Sequence, residues 1–183
     1  MKMWNGACMG KIKGHNPAVC DAGPVIHLDE LGSLDLLSDF HPLLISKTVQ
    51  SEIIKHRPTA LKSAGFEMKL VDIIPSQGPR LSVLSKAFSL DQGELESLSV
   101  AQEMPGVFFL TDDAAARLAG EELGCRVHGT VGIILRAIRN KMKTPHEVVG
   151  LLSQIPNKTT LFLRPALLEE VIQKVKKEYS LLG

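Results

Sequence analysis

Val19-Cys20-Asp21-Ala22-Gly23-Pro24-Val25-Ile26-His27-Leu28 is the stretch on which the fold of this chain turns. A short apolar run, 17–21, closes on a single aspartate, and Ala-Gly-Pro follows at once. Pro24 suits the first turn of a helix. Val25, Ile26, Leu28 and Leu31 then recur with helical spacing, and Gly32 closes the segment. Strand, tight turn and helix within so few residues read as the opening of a βαβ unit. Outward from it the alternation repeats. Residues 43–46 form a second strand, followed by a helix carrying Val49, Ile53 and Ile54; 68–74 form a third, ended by Pro75 and Gly78. Residues 107–111 form a fourth strand, almost wholly apolar, as a strand covered on both faces should be. A short fifth covers 125–128. Helices are expected near 93–103, 114–123, 130–140, 145–152 and 165–178. The last keeps an apolar stripe of Leu167, Leu168, Val171, Ile172, Val175 and Tyr179. The fold class is α/β, a parallel sheet of about five strands flanked by helices.

With 183 residues, the chain has the length of one domain with a substantial core. Residues 17–183 read as that domain, C-terminal helices included. Residues 1–16 read as a loosely held extension, Lys- and Gly-rich and without a signal-peptide apolar block. No apolar run approaches the roughly 18 residues of a membrane helix, and the expected location is the cytoplasm. The formal net charge of +1 provides no overall basic field to gather nucleic acid, so binding to a polyanion needs a local patch or a bound cation. Cys8, Cys20 and Cys125 are widely spaced, with no Cys-x-x-Cys pair. This excludes a zinc knuckle or a redox motif and makes Cys20 and Cys125 small core residues.

The chemistry lies in where the acids fall. Asp21 ends the first strand; Asp112 and Asp113 end the fourth. Open α/β sheets bind ligands beyond the carboxyl ends of strands, where strand order reverses. If the first and fourth strands are neighbours across that reversal, these carboxylates converge. Glu52, in the helix after the second strand, and Glu94 and Glu96, in the helix before the fourth, can begin at the same sheet edge. Carboxylates packed together do not all stay ionised without a compensating cation. Mg²⁺ or Mn²⁺, hard ions that prefer oxygen, are the natural compensation. Each acid also has a plainer role. Asp91 and Glu94 have capping-box spacing. One of Asp112 and Asp113 caps the next helix, leaving the other for metal. Glu52 suits a helix dipole, and Glu96 faces solvent. Asp21, closing an apolar strand, has no capping need that requires a charge.

At these residues the chain resembles the PIN-domain family, whose best-known members are VapC-like toxins of toxin–antitoxin pairs. It looks most like a PIN-like subfamily of prokaryotic proteins described only as predicted nucleic-acid-binding. The stretches that carry the resemblance are 19–28, Asp91-Gln-Gly-Glu-Leu-Glu-Ser-Leu98, Leu110-Thr-Asp-Asp-Ala-Ala-Ala-Arg117 and Gly129-Thr-Val-Gly-Ile-Ile-Leu-Arg-Ala137. The resemblance implies a three-layer fold with strand order 3-2-1-4-5 and an acidic quartet that holds divalent metal and cuts RNA. By position, Asp21 matches the first acid, Glu52 the second, Glu94 the third and Asp113 the fourth. Thr111 matches the Thr-x-Asp pattern before the last acid, where its hydroxyl orients a ligand or water. Asp112 and Glu96 stand beside these as an alternative ligand and a supporting residue. Glu reaches about one methylene beyond the Asp that many relatives carry at the third position. The N-terminal extension and two C-terminal helices lie outside the short toxin pattern. The family also implies an RNA substrate and a small antitoxin whose segment blocks the cleft.

Other constellations are weaker. The six histidines form no metal set, and His27 and His128 read as satisfied core or edge residues. Glu52 and His56 share a helix face as a surface pair. Gly129-Thr-Val-Gly132 opens a helix, either as a phosphate cradle or as a tight turn packed on the sheet. Arg136, Arg139, Lys141 and Lys143 complement a helix end or touch an RNA backbone. With six Phe, one Trp and one Tyr, few aromatics are available for base stacking, and sequence-blind stacking of the kind seen in single-strand binders is not expected. The C-terminal stripe serves a homodimer or covers the domain's own core. Phospho-receiver and haloacid-dehalogenase architectures lose ground because the first strand carries one acid and position 23 is glycine. Two functions remain: a Mg/Mn-dependent ribonuclease, and a degenerate module of the same fold that binds metal, nucleic acid or protein without turnover.

Overall fold

The computed structural model describes residues 16–72 and 78–181, so the expected N-terminal extension lies, but for Asn16, outside the described residues. β1 (Ala18–Cys20) runs into α1 (Ala22–Glu30) and a 3₁₀ helix (Leu34–Asp39); β2 (Leu43–Ser46) follows, then α2 (Lys47–His56) and α3 (Ala60–Ser63). β3 (Met68–Val71) precedes α4 (Pro79–Phe88) and α5 (Gln92–Gln102). β4 (Phe108–Leu110), α6 (Ala114–Glu122), β5 (Arg126–His128), α7 (Thr130–Arg139), α8 (Pro145–Lys158) and α9 (Pro165–Glu178) complete the chain.

The five strands form one sheet in the order β3-β2-β1-β4-β5, every pair parallel. Val19 stands opposite Leu44 on one side and Phe109 on the other, so β1 is central. The chain leaves β1 toward β2 and returns on its far side at β4. The carboxyl ends of β1 and β4 therefore flank the reversal of strand order, where this fold class opens a crevice.

Alternation along the strands divides the core in two. Ala18, Cys20, Leu43, Ile45, Phe108 and Leu110 face the layer of α1, α7 and α8. Val19, Leu44 and Phe109 face α4, α5 and α6. Leu168, Ile172 and Val175 of α9 are buried in the first layer, so the C-terminal stripe covers its own domain. Among the described residues no helix is long and apolar enough to cross a membrane.

Several boundaries depart from expectation, each for a local reason. α1 begins two residues before Pro24, because Asp21 takes the cap position. α8 continues past 152 to Lys158 and accommodates Pro156 near its end; a proline there removes only one donor from the terminal turns. α3, α4 and the 3₁₀ helix were not anticipated. For α4 the signal was present: Leu81, Leu84 and Phe88 recur at helical spacing and pack on the second core layer.

α6 lies unusually close to the sheet. A Cβ at Gly120 would stand 2.7 Å from Phe109 Cδ1 and 3.1 Å from Val127 Cγ2. Phe109 is fully buried and has no room to yield. Gly120→Ala is therefore expected to destabilise the protein by about 1–3 kcal/mol, the usual cost of overpacking, outweighing alanine's advantage of about 1 kcal/mol in a helix. Urea denaturation measures it, and a variant as stable as the parent would show that α6 can slide off the sheet.

Candidate functional site

Asp21 follows β1 directly and caps α1, its Oδ1 accepting from the Ala22 amide at 2.8 Å. The expectation that it has no capping role is thus corrected: the strand ends exactly where the next helix begins, so one carboxylate serves both. Its other oxygen, Oδ2, accepts from the Thr111 hydroxyl at 3.1 Å. Thr111 is fully buried, and the same hydroxyl accepts from the Asp113 amide at 3.2 Å. One side chain thereby ties the end of β1 to the end of β4.

The Asp112-Asp113 doublet divides its work differently from the expectation that one would cap and the other stay free. Asp113 caps α6, its Oδ1 accepting from Ala115 and Ala116 amides at 2.7 and 2.8 Å, while Oδ2 takes no part in the cap. Asp112 turns the other way. Its Oδ1 accepts from the Thr130 amide at 2.7 Å, and its Oδ2 from the Thr130 hydroxyl at 2.6 Å and from His27 Nδ1 at 2.8 Å. Both of its oxygens are committed to protein donors, so Asp113 has the greater capacity for a cation. The same contact decides between the two readings of Gly129-Thr-Val-Gly132. The Thr130 amide that would greet a phosphate already serves Asp112, and a Cβ at Gly129 would stand 2.6 Å from Asp112 Oδ1. The segment is a tight strand-to-helix turn.

Glu94 forms the anticipated capping box, accepting from the Asp91 amide at 2.8 Å while Asp91 accepts from the Glu94 amide at 2.9 Å. Glu52 is the sixth residue of α2, beyond its first turn, so the dipole reading fails. Glu96 stands away from the others, accepting from Thr48 Oγ1 and Gln92 Nε2, each at 2.9 Å. Against the upward push of partial burial, such donors hold its carboxyl below the usual range.

One cavity of about 360 Å³ gathers what remains. Asp21, Glu52, Asp91, Glu94, Asp112 and Asp113 line it, together with Gly23, His27, Thr160, Leu161 and Phe162. The carboxylates come from β1, α2, α5 and the β4–α6 junction. Glu96 is not among them. Nor are the basic residues singled out at the end of α7. Arg136 is paired with Asp39 and lies 4.8 Å from the Phe108 ring centre, and Lys143 pairs with Asp35 at 3.1 Å.

Electrostatically the cavity is strained. Burial pushes the Asp21 carboxyl up to about 6 despite hydrogen bonds from Ala22 and Thr111, and Glu52 and Asp91 add to the rise. Glu94 is pushed up to about 7, first by burial and then by Asp91, Asp113 and Asp21. These acids hold protons toward neutrality chiefly because burial disfavours their charge, and the neighbouring carboxylates add to the effect. An all-oxygen donor set of this kind suits a hard divalent cation rather than a thiophilic one. Among the described residues no three His, Cys, Asp or Glu side chains already stand as a closed coordination group. The donors therefore suit such an ion in chemistry and share one cavity, without being drawn together into a shell. The two described cysteines offer no competing chemistry, since burial raises the Cys20 thiol well above its ordinary value and Cys125 to about 11.

His27 is what sequence reasoning undervalued. It was expected as a satisfied core or edge residue, and it is satisfied, but by an acid 85 positions away on the lining of the same cavity. Its place one helical turn beyond Gly23 in α1 is the only local hint. No curated protein and no solved structure matches the chain significantly. A family model described as a PIN domain matches residues 17–177, which takes in every strand and nearly all of the helix that ends the fold. With its 3-2-1-4-5 parallel sheet, the chain belongs to the PIN-domain family.

Proposed function

We propose that this protein is a divalent-metal-dependent ribonuclease that hydrolyses RNA phosphodiester bonds. The observation that carries the reading is the meeting of Asp21, Glu52, Glu94 and Asp113, from separate parts of the chain, on one cavity at the reversal of strand order. PIN domains are in general nucleases that use divalent metal, and nucleic acid is their substrate. Asp21 and Asp113 are the principal holders of Mg²⁺ or Mn²⁺, with Glu94 completing the set and Glu52 holding or orienting beside them. Such a cation supplies neutralisation of phosphate charge and acidifies water for attack. The chain's own residues do the rest. Thr111 fixes Asp21 Oδ2 by its hydroxyl and Asp113 through its amide, so both acids keep their aim as the cleft fills. Asp112, held by Thr130 and His27, locks the start of α7 to the cleft lining. In the metal-free cleft Glu94 holds a proton up to about 7, and a cation that it helps to hold would displace that proton.

A second reading is favoured by one feature. Asp21, Asp91, Glu94 and Asp113 all carry helix-capping duties, so they have structural reasons to be present in a non-catalytic module of the same fold. Incubation of the purified protein with single-stranded RNA separates the two. Cleavage is expected with Mg²⁺ or Mn²⁺, lost with chelator and regained on adding metal back. Cleavage that persists in chelator overturns the ribonuclease reading, and calorimetric Mn²⁺ binding without turnover favours the module. A role as a cytoplasmic toxin held by a small antitoxin rests on family likeness, and co-purification of an inhibitory partner tests it.

A further inference from the structure

The lining of the acidic cavity includes a side chain that neither metal binding nor folding requires. Phe162 is 86% exposed, the most exposed large apolar side chain among the described residues. It lies between α8 and α9, in a segment whose flanking residues Thr159 and Arg164 are extended. Leu161 and Leu163 on either side pack against the core, so alternation turns the intervening ring outward. The segment is pinned rather than loose. The Thr160 amide donates to Glu30 Oε2 at 2.8 Å, and its hydroxyl donates to the same carboxylate. Core packing explains why position 162 points out, but not why a phenylalanine occupies it. A polar residue would serve an extended surface segment without exposing an aromatic face to water.

We propose that Phe162 is a nucleobase platform, on which an unpaired base of a single-stranded nucleic acid stacks while the adjoining backbone enters the acidic cavity. The inference rests on the ribonuclease reading and adds a substrate class to it. Three observations converge. The ring is on the wall of the same cavity as the carboxylates. Its backbone is anchored by the packing of Leu161 and Leu163 and by the Thr160–Glu30 hydrogen bonds, so the residue is placed at the cavity before any ligand arrives. And the cleft itself is acidic while the chain's net charge is only +1, so attraction to phosphate is weak and a contact to the neutral face of a base has the more to contribute. A duplex keeps its bases paired and stacked inside, where a surface ring does not reach them, so the platform selects single strands. The proposal runs against the expectation of no sequence-blind stacking, because one exposed ring at the cavity suffices for one base.

The test uses the full chain in an Asp21→Asn background, which keeps the oligonucleotide intact, and follows anisotropy of a labelled short single-stranded RNA. Phe162→Ala is expected to weaken binding by about 5- to 100-fold, the range for loss of one stacked base. Phe162→Trp is expected to retain it. Binding of a phosphodiester chain lacking bases, or of a duplex, is expected to be the same with either residue. Because the ring is exposed, folding does not confound the comparison. Unchanged affinity of Phe162→Ala for the single strand overturns the inference and leaves the ribonuclease reading standing. If light scattering shows that Phe162→Ala instead dissolves a dimer of the free protein, the ring is a protein-interface anchor and the inference falls. If no nucleic acid binds even with Phe162 present, while Mn²⁺ does, both fall together.

Discussion

Replacing Asp21 by Asn is expected to lower metal-dependent RNA cleavage by at least about 100-fold, since even partners one shell removed from a metal cost 10- to 100-fold. The same substitution is expected to stabilise the metal-free protein at neutral and alkaline pH. The sign follows from the proton affinities. Asp21 has an ordinary value of 3.8 and about 6 in the folded protein, because burial disfavours its charge. Below 3.8 it is protonated folded or unfolded and costs nothing. Between 3.8 and 6 the unfolded chain ionises first, so folding stability falls as pH rises. Above 6 the full cost is present. At about 1.4 kcal/mol per pK unit the ceiling is about 3 kcal/mol, and partial exposure brings the expected gain to about 1–2 kcal/mol. Asn keeps the cap, since its carbonyl accepts from Ala22 as the carboxylate does, but its amide nitrogen cannot accept from the Thr111 hydroxyl, and that loss offsets part of the gain. Urea denaturation in chelator at pH 8 and at pH 4 reads the effect. A gain at pH 8 that vanishes at pH 4, together with lost cleavage, is the expected signature of a functional acid kept at a cost in stability. Undiminished cleavage by the variant would remove Asp21 from the active site.

The second large effect concerns metal itself. A divalent ion that ligates Asp21 and Glu94 must displace the protons these groups hold up to about 6 and about 7. Affinity for Mn²⁺ is therefore expected to rise by about 100-fold between pH 5 and pH 8, discounted from a larger ceiling because the two acids titrate together. Binding near pH 6.5 is expected to release about one proton. Calorimetry in two buffers of different ionisation heat counts it. The thermal consequence is equally direct. At a hundredfold excess over its dissociation constant, the metal adds about 2.7 kcal/mol of stability at pH 8 and little at pH 5. In Glu94→Gln the pH dependence is expected to shrink toward that of Asp21 alone. An affinity flat across this range would mean the ion, if it binds, sits elsewhere.

Much of this architecture was legible before any coordinates. The strands expected at 17–21, 43–46 and 107–111 are Ala18–Cys20, Leu43–Ser46 and Phe108–Leu110 in the structure, and the fourth is buried on both faces as its apolar run announced. α4 was overlooked because only Leu81 in it is deeply buried, so its stripe is thin beside the serines and lysine around it. The placement of acids at the ends of the first and fourth strands also came from sequence, and the resemblance anticipated both strand order and family. What remained illegible was the division of labour among the acids. Nothing near Asp112 in the chain reveals that His27 and Thr130 take both of its oxygens, and nothing near Glu96 reveals Thr48.

Sequence by itself determined the strands and the helices with a full apolar stripe, and that an acid follows the first and fourth strands, because periodicity and capping act over one to four residues. Tertiary structure alone decided which carboxylate oxygens stay available and what faces them. Thr111 reaches Asp21 across 90 positions and Thr130 reaches Asp112 across 18, through contacts set by the register of neighbouring strands. A carboxylate's chemistry depends on the donors and charges around it, and in this fold those are supplied by parts of the chain remote in sequence.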